Sequence, residues 1–426
     1  MAGLEPHMTR MVAVLICAAM VLLTLSVVLP RSQESAAAQR FEFGGVPPSD
    51  PKPVTLTSPL AQSGGLFGLP VAVGSKTVVV GALGETASGY SDAGHAYVLR
   101  ATTGALISTL SSPNSQTDGW FGSAVAISGN DVVIGAYDEN ASGYDGAGNA
   151  YIFDATTGAL VRTLTSPNAQ AGGAFGSAVA ISGTTVVVGA PEEYVDRNSE
   201  AGHAYVFDAT TGALLSTLTS PNEQAAGRFG DSVAISGTMA VVGAWEESVS
   251  GLFVAGHAYV FKATTGALVS TLTSPNPQTD GQFGFSVTIS GAKVVVGAWL
   301  ENASGLSQAG HAYVFKATTG ALISTLTSPK PQTRGFFGSA VAISGSTIVV
   351  GARNETSSGY GGAGVAYVFN ATTSALVHTL RSPNSEAQGY FGTAVAIRDS
   401  RVVVGAPFET AAGYAYAGHA YVFENE

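Results

Sequence analysis

Short hydrophobic runs separated by small and polar residues make up most of the chain, and residues 175–193, FGSAVAISGTTVVVGAPEE, are typical. Val179 and Ile181 alternate with alanine, and this period of two predicts a half-buried β-strand. The continuous run TTVVVGA over residues 184–190 predicts a second strand that is buried on both faces. Gly183 lies between the two runs and favours a two-residue turn, so the stretch predicts a β-hairpin.

Two further hydrophobic runs follow in the same unit. They are GHAYVFD over residues 202–208 and ALLSTLTS over residues 213–220, and the turn ATTG separates them. The hydrophobic residues do not recur with the period of 3.6 residues that would indicate a helix. Four short antiparallel strands joined by turns are typical of one blade of a β-propeller.

The unit repeats along the chain with a constant spacing. The dipeptide FG occurs at intervals of 54 residues, beginning at Phe67, Phe121, Phe175, Phe229, Phe283, Phe337 and Phe391. A period of about 50 residues indicates propeller blades, whereas helical repeats are shorter. The sequence therefore predicts an all-β fold, a seven-bladed β-propeller of 54-residue four-stranded blades.

The two ends of the repeat array predict how the propeller closes. The segment ATTGALxxTL, which contains the fourth strand, occurs six times and is missing after the seventh unit, where the chain ends in AYVFENE. Residues 53–59, PVTLTSP, match the second half of that strand and precede the first FG. We therefore expect the N-terminal strand to complete the last blade. This pairing removes the free sheet edges that an open array of blades would expose.

An apolar segment near the N-terminus indicates export. Residues 11–30 are apolar between Arg10 and Arg31, and small residues at Ala36 and Ala38 suit a signal peptidase. We expect residues 1–38 to be a signal peptide cut after Ala38, residues 39–52 a Pro-rich linker, and residues 53–426 the propeller. In the alternative, residues 11–30 remain as a membrane anchor. Both place the propeller outside the cytoplasm, secreted or at the cell surface.

Charge and composition exclude several classes of function. The net charge is −11 and no cluster of Lys and Arg occurs, so we expect no nucleic-acid partner. Cys17 is the single cysteine, which excludes an intrachain disulfide and thiolate metal sites. Motifs for a nucleophile elbow, a zinc protease or a phosphate loop are absent. We therefore expect a protein that is not an enzyme and that has no cofactor.

The repeated sequence motifs FGSAVAISGTTVVVGAP and GxAYVF resemble the FG-GAP repeat, which also builds the head propeller of integrin alpha chains. The resemblance covers residues 53–426 and implies a β-propeller. It does not specify one activity, since propellers carry many. Integrin-like repeats hold a calcium loop, DxDxDGxxD, between the first two strands. Here that position holds only short turns such as ISGTT, so we predict no metal site.

One glutamate recurs in every unit, just after the second strand. The seven residues are Glu85, Glu139, Glu193, Glu247, Glu301, Glu355 and Glu409. Such a ring of carboxylates could bind cations or a basic ligand at one mouth of the channel. The simpler interpretation, which we favour, is that each Glu accepts hydrogen bonds from backbone amides within its own loop. A histidine in the third strand recurs in five units but is Asn149 and Val365 in the others, which favours packing over ligand binding.

Three positions of the unit vary in chemical type from copy to copy, and they predict a binding surface. They precede FG, follow the second strand, or lie further into the loop after it, where Tyr90, Tyr144, Tyr360 and Tyr414 occur. In an antiparallel blade all three positions emerge on one face. Trp, Tyr and Arg are enriched at binding hot spots. The candidate ligand-binding residues are Trp120, Arg228, Phe336 and Tyr390 before FG, and Tyr137, Trp245, Trp299 and Arg353 after the second strand.

Two functions of different class follow from these patterns. In the first, the protein is an exported binding or adhesion module whose loops recognise a protein or a glycan. In the second, it is a structural or surface-display propeller without a discrete ligand site, and the loop aromatics pack locally. Under the first, we expect replacement of Trp245 and Trp299 by alanine to abolish binding without lowering the melting temperature.

Overall fold

The computed structural model describes residues 53–196 and 198–424, and these form seven four-stranded antiparallel sheets. The predictions for residues 1–52, a signal peptide or anchor and a linker, lie outside the described residues. Among the residues described, no helix is long and apolar enough to cross a bilayer. The seven-bladed all-β architecture predicted from the sequence is confirmed.

The strands follow the blades in chain order, except that the first strand, β1 (Val54–Thr57), belongs to the last blade. Blades 1 to 3 contain β2 (Val71–Val73), β3 (Thr77–Ala82), β4 (His95–Arg100), β5 (Leu106–Ser111), β6 (Ala124–Ser128), β7 (Asp131–Ala136), β8 (Asn149–Asp154), β9 (Leu160–Thr165), β10 (Val179–Ser182), β11 (Thr185–Ala190), β12 (His203–Asp208) and β13 (Leu214–Leu218). Blades 4 to 7 contain β14 (Ser232–Ser236), β15 (Met239–Ala244), β16 (His257–Lys262), β17 (Ala267–Thr273), β18 (Phe283–Ser290), β19 (Lys293–Ala298), β20 (His311–Lys316), β21 (Leu322–Leu326), β22 (Phe337–Ser344), β23 (Thr347–Ala352), β24 (Val365–Asn370), β25 (Leu376–Leu380), β26 (Ala394–Arg398), β27 (Arg401–Ala406) and β28 (His419–Glu424).

The first strands of the blades surround the central axis. Each contacts the first strand of the next blade, from β2 through β26 and back to β2, so the ring is closed. The second and third strands lie between neighbouring blades, which explains their continuous burial; the valine runs predicted this for the second strands. Hydrophobic clusters therefore form between blades. One of them joins Val79 and Val98 of blade 1 to Val132 and Tyr151 of blade 2.

The N-terminal strand closes the ring as the sequence predicts. In blade 7, β1 pairs with β28 in antiparallel register, with Val54 opposite Val422 and Thr57 opposite His419. Leu56 is buried in a cluster that contains residues of blades 7 and 1. The first and last described strands are thus hydrogen-bonded to each other.

Glycine is required where neighbouring blades approach most closely. Gly122, the glycine of FG in blade 2, has a φ of +89°, and a Cβ there would lie 2.3 Å from the carbonyl oxygen of His95 in blade 1. A Cβ on Gly81, in the second strand of blade 1, would lie 2.0 Å from the carbonyl oxygen of Gly122. The preceding Phe121 is fully buried and packs at 5.8 Å from the ring of Tyr151. The FG pair therefore combines a core residue with a backbone contact that no side chain would allow.

We predict that Gly122→Ala is strongly destabilising because its methyl group would separate blades 1 and 2. A matched control is Gly129→Ala, which also has a positive φ but has no atom within 4 Å of its Cβ position. In urea denaturation we expect a loss of about 1 kcal/mol for Gly129→Ala, from the left-handed backbone alone, and about 3 kcal/mol or more for Gly122→Ala. Equal losses for the two variants would show that the close approach is not the constraint.

Candidate functional site

The two ends of the blades form two chemically different faces. The loops between the second and third strands, and those between the fourth strand and the next blade, emerge at one end, which we call the loop face. The opposite end carries the short turns between the other strands. All three variable positions predicted from the sequence lie on the loop face, because each belongs to one of these loops.

The recurring glutamates are buried at the junctions between blades, and each is at most 1% exposed. Glu193 shows the arrangement. The hydroxyl of Ser166, which follows the last strand of blade 2, donates to Oε1, and the phenol of Tyr205 donates to Oε2. Nδ1 of His203 lies 2.8 Å from Oε2. Glu193 thus joins the outer part of blade 2 to the third strand of blade 3.

The same set of donors recurs around the ring with small changes. All seven carboxylates accept a hydrogen bond from the tyrosine twelve residues later. Their donors belong to the third strand and to the segment that follows the fourth strand, and the carboxylates are buried within the junctions. The seven glutamates therefore do not form an exposed ring of charges. Their donors are side chains, in place of the loop amides that we expected.

The third-strand histidines are part of the same junctions. In five blades Nδ1 lies 2.8–3.1 Å from the carboxylate, and the ring stacks on the adjacent tyrosine. In blade 2, Asn149 takes this place and its amide donates to Glu139 over 2.8 Å. In blade 6, Val365 offers no polar group to Glu355. Burial raises the pKa of Glu355 to about 7.

We predict that Glu355 makes the protein less stable as the pH rises. Its pKa in the folded state is raised from the ordinary value of 4.5 to about 7, so the folded state retains a proton that the unfolded state has lost. The stabilisation is complete below pH 4.5, declines up to about pH 7, and is constant above that. Over this range the wild type should lose on the order of 2–3 kcal/mol relative to Glu355→Gln, as urea denaturation at several pH values would measure.

Val365→His is the matched variant for this prediction. It restores the imidazole that accompanies the glutamate in five other blades and should therefore lower the pKa of Glu355. We expect a smaller decline in stability between pH 4.5 and 7 than in the wild type. Parallel pH profiles for the wild type, Glu355→Gln and Val365→His would contradict the assignment to Glu355.

Several of the predicted binding residues pack against one another across blades 4 to 6. The rings of Trp299 and Phe336 are 4.8 Å apart, and the guanidinium of Arg353 lies 4.7 Å from the centre of the Trp299 ring. Phe285 connects Trp245 to Trp299, with ring distances of 6.0 and 4.9 Å. Sequence reasoning missed Phe285, although it is the one aromatic residue two positions after the Phe of FG.

The other predicted residues form separate local contacts. Trp120 packs on Tyr137 at a ring distance of 5.1 Å, within blade 2. In blade 7, Tyr390 packs on Phe408 at 5.4 Å. Trp120 is 7% exposed and Trp299 is 4% exposed, so their rings are part of the packing below the loop surface.

Arg228 lies among carboxylates between blades 3 and 4. Its guanidinium is 2.7 Å from Glu192, 3.3 Å from Glu200 and 3.5 Å from Glu246. Burial raises the pKa of Glu246 to about 7, and the charge of Arg228 opposes this shift. Because its charge is already neutralised, Arg228 is a weak candidate for contacting a ligand.

Exposed aromatic rings lie further out in the same loops. Within residues 53–196 and 198–424, every exposed aromatic side chain belongs to a loop between a second and a third strand: Tyr90, Tyr144, Tyr194, Phe253, Tyr360, Tyr414 and Tyr416. Four of these occupy the third variable position. The sequence analysis placed these four on the predicted binding surface without including them among the candidate ligand-binding residues, and it missed Tyr194, Phe253 and Tyr416.

The burial of Trp299 changes the expectation that it can be replaced without loss of stability. We now predict that Trp299→Ala lowers the free energy of unfolding by about 3 kcal/mol, since it removes the centre of the aromatic stack. Tyr360→Ala is the control, and as a change of an exposed ring it should alter stability by less than about 0.5 kcal/mol. Equal melting temperatures for the two variants would contradict the packing role of Trp299.

Comparison with known proteins supports the architecture. The family model described as FG-GAP repeat matches residues 106–153, 159–207, 214–261, 267–315, 322–369 and 376–423. No curated protein matches the chain. Among solved structures, the computationally designed Ika8 protein is similar, with 19% identity and a TM-score of 0.50 over 88% of this chain and 99% of that chain. That likeness concerns the fold alone. The family matches cover more than half of the sequence, and the chain therefore belongs to the FG-GAP repeat family.

Proposed function

We propose that the protein is an exported, non-catalytic binding or adhesion module that recognises a protein or a glycan through its loop face. The observation that carries this proposal is that the exposed aromatic rings of the described part of the chain all lie in loops of that face. Exposed aromatic residues on a rigid scaffold are typical of recognition surfaces. The exposed hydrophobic residues of the outer strands, such as Leu214 and Leu322, are all aliphatic.

The division between framework and loops supports the proposal. The buried strands keep the same residue types in each blade, whereas the residues before FG and after the second strand differ in size, charge and polarity. The exposed parts of these loops can change with little loss of stability, because the fold is maintained by its buried positions. Binding specificity is then free to reside on the loop face.

One observation favours the structural or surface-display alternative. Trp120 and Trp299, two of the residues predicted to contact a ligand, are buried and pack locally. Duplicated blades with different loop residues need such compensating contacts even when nothing binds. A direct binding experiment therefore separates the two functions.

We predict that replacing the seven exposed loop aromatics by serine abolishes binding to arrays of immobilised extracellular proteins and glycans. The folded core is not touched by these changes, so circular dichroism and the melting temperature should remain close to those of the wild type. The control variant carries Leu214→Ser and Leu322→Ser on the outer strands and should bind as the wild type does. Wild-type binding by the seven-residue variant would show that these aromatic residues do not form the binding surface, and no binding by the wild type would favour the structural alternative.

A further inference from the structure

A groove opens on the loop face beside blade 3. Its volume is about 670 Å³, within the range of ligand sites in proteins. Its walls come from three loops: the one between β9 and β10, the one between β11 and β12, and the one after β13. The lining is mostly polar and includes Asn168, Tyr194, Asp196, Thr219 and Glu223. His203, from the buried junction of blade 3, also borders it.

Three of the lining residues are departures from the repeat. Tyr194 is an aromatic residue where the other six blades have Ser, Thr or Asn. Asp196 is an acid where they have Ser or Ala, and Glu223 is an acid where they have Ser, Ala or Pro. These departures lie on two different loops, yet they converge on one groove. In an array of nearly identical blades, this convergence distinguishes the groove from ordinary loop variation.

The walls of the groove are fixed by hydrogen bonds. The Gln170 amide donates to the carbonyl of Tyr194 over 3.2 Å and accepts from its N–H over 3.0 Å. The Asn198 amide donates to Oε1 of Glu223 over 2.7 Å. These contacts position Tyr194 and Glu223 before any ligand arrives, which lowers the cost of binding.

We propose that this groove binds a neutral oligosaccharide through one pyranose unit, an inference that rests on the proposed function and assigns its ligand class and place. Tyr194 is 54% exposed and offers an aromatic face to the C–H groups of a sugar ring. Asp196 and Glu223 accept hydrogen bonds from sugar hydroxyls, while the amide of Asn168 donates to them. A sugar hydroxyl both donates and accepts, so it satisfies both kinds of group.

Other ligand classes match the lining less well. An anion would meet the carboxylates of Asp196 and Glu223, which would repel it. A lysine side chain would satisfy the carboxylates but would offer no acceptor to the amide of Asn168. A neutral polyhydroxylated ligand uses the amide, the carboxylates and the ring together.

The test uses residues that the other blades carry at the same positions. The groove variant is Tyr194→Asn, Asp196→Ser and Glu223→Ala. Asn occurs at the first of these positions in blades 2 and 5, Ser at the second in blades 1, 2, 4, 5 and 6, and Ala at the third in blade 2. The control variant makes exchanges at the equivalent positions of other copies: Asn140→Ser and Ser142→Ala in blade 2, and Ser115→Ala after the fourth strand of blade 1. Both should fold as the wild type does, which the melting temperature checks.

The full chain and both variants are applied to an array of neutral oligosaccharides, with lysine-rich peptides as a second set of probes. We expect the wild type to bind neutral oligosaccharides, the control to bind within about twofold, and the groove variant to bind at least about tenfold more weakly, as for a central contact. No binding of the wild type to any neutral oligosaccharide, or binding to the peptides alone, would overturn the ligand class.

The same variants separate this inference from the proposed function. If the groove variant binds oligosaccharides as the wild type does while the variant lacking the seven exposed aromatics does not, the groove is wrong and the loop face remains the binding surface. If the wild type binds immobilised proteins only, the ligand class is wrong and the proposed function stands. If both variants bind as the wild type does, both proposals fail.

Discussion

The close approach of neighbouring blades at the FG glycine is the contact on which the rest of the structure depends. The carbonyl of His95 occupies the space where a side chain at Gly122 would begin, and the carbonyl of Gly122 does the same at Gly81. This approach brings the second and third strands of adjacent blades into contact and buries their valines. The interior is therefore distributed over seven interfaces between blades, and closure of the ring supplies the one between blades 7 and 1.

The buried glutamates follow from the same packing. A carboxylate inside a junction between blades is costly unless donors surround it. In four blades a serine of the preceding blade donates to it directly. Because the arrangement involves two blades, duplication of the unit reproduces it, and the glutamate recurs without needing a ligand. In blade 6, where Val365 provides no polar group, burial raises the pKa of Glu355 to about 7.

Much of the fold could be predicted, and less of the site. The strands predicted in blade 3 agree with β10 to β13 to within two residues at each end, because alternation and turn glycines are local signals. Exposure of the loop aromatics was not predictable in this way. Trp299 is buried because Phe285 and Phe336, from its own and the next blade, pack against it, whereas Tyr194, which borders the groove, is 54% exposed.

The sequence alone determined the number of blades, the order of their strands and the closure by residues 54–57, because the 54-residue period and the half-missing last unit leave one consistent arrangement. It also determined that the variable residues share one face. Only the tertiary structure decided which of them are accessible, and that three unlike residues of blade 3 meet at one groove. The physical reason is that burial and proximity depend on which side chains meet between neighbouring blades. The repeat pattern does not show these contacts for each individual blade.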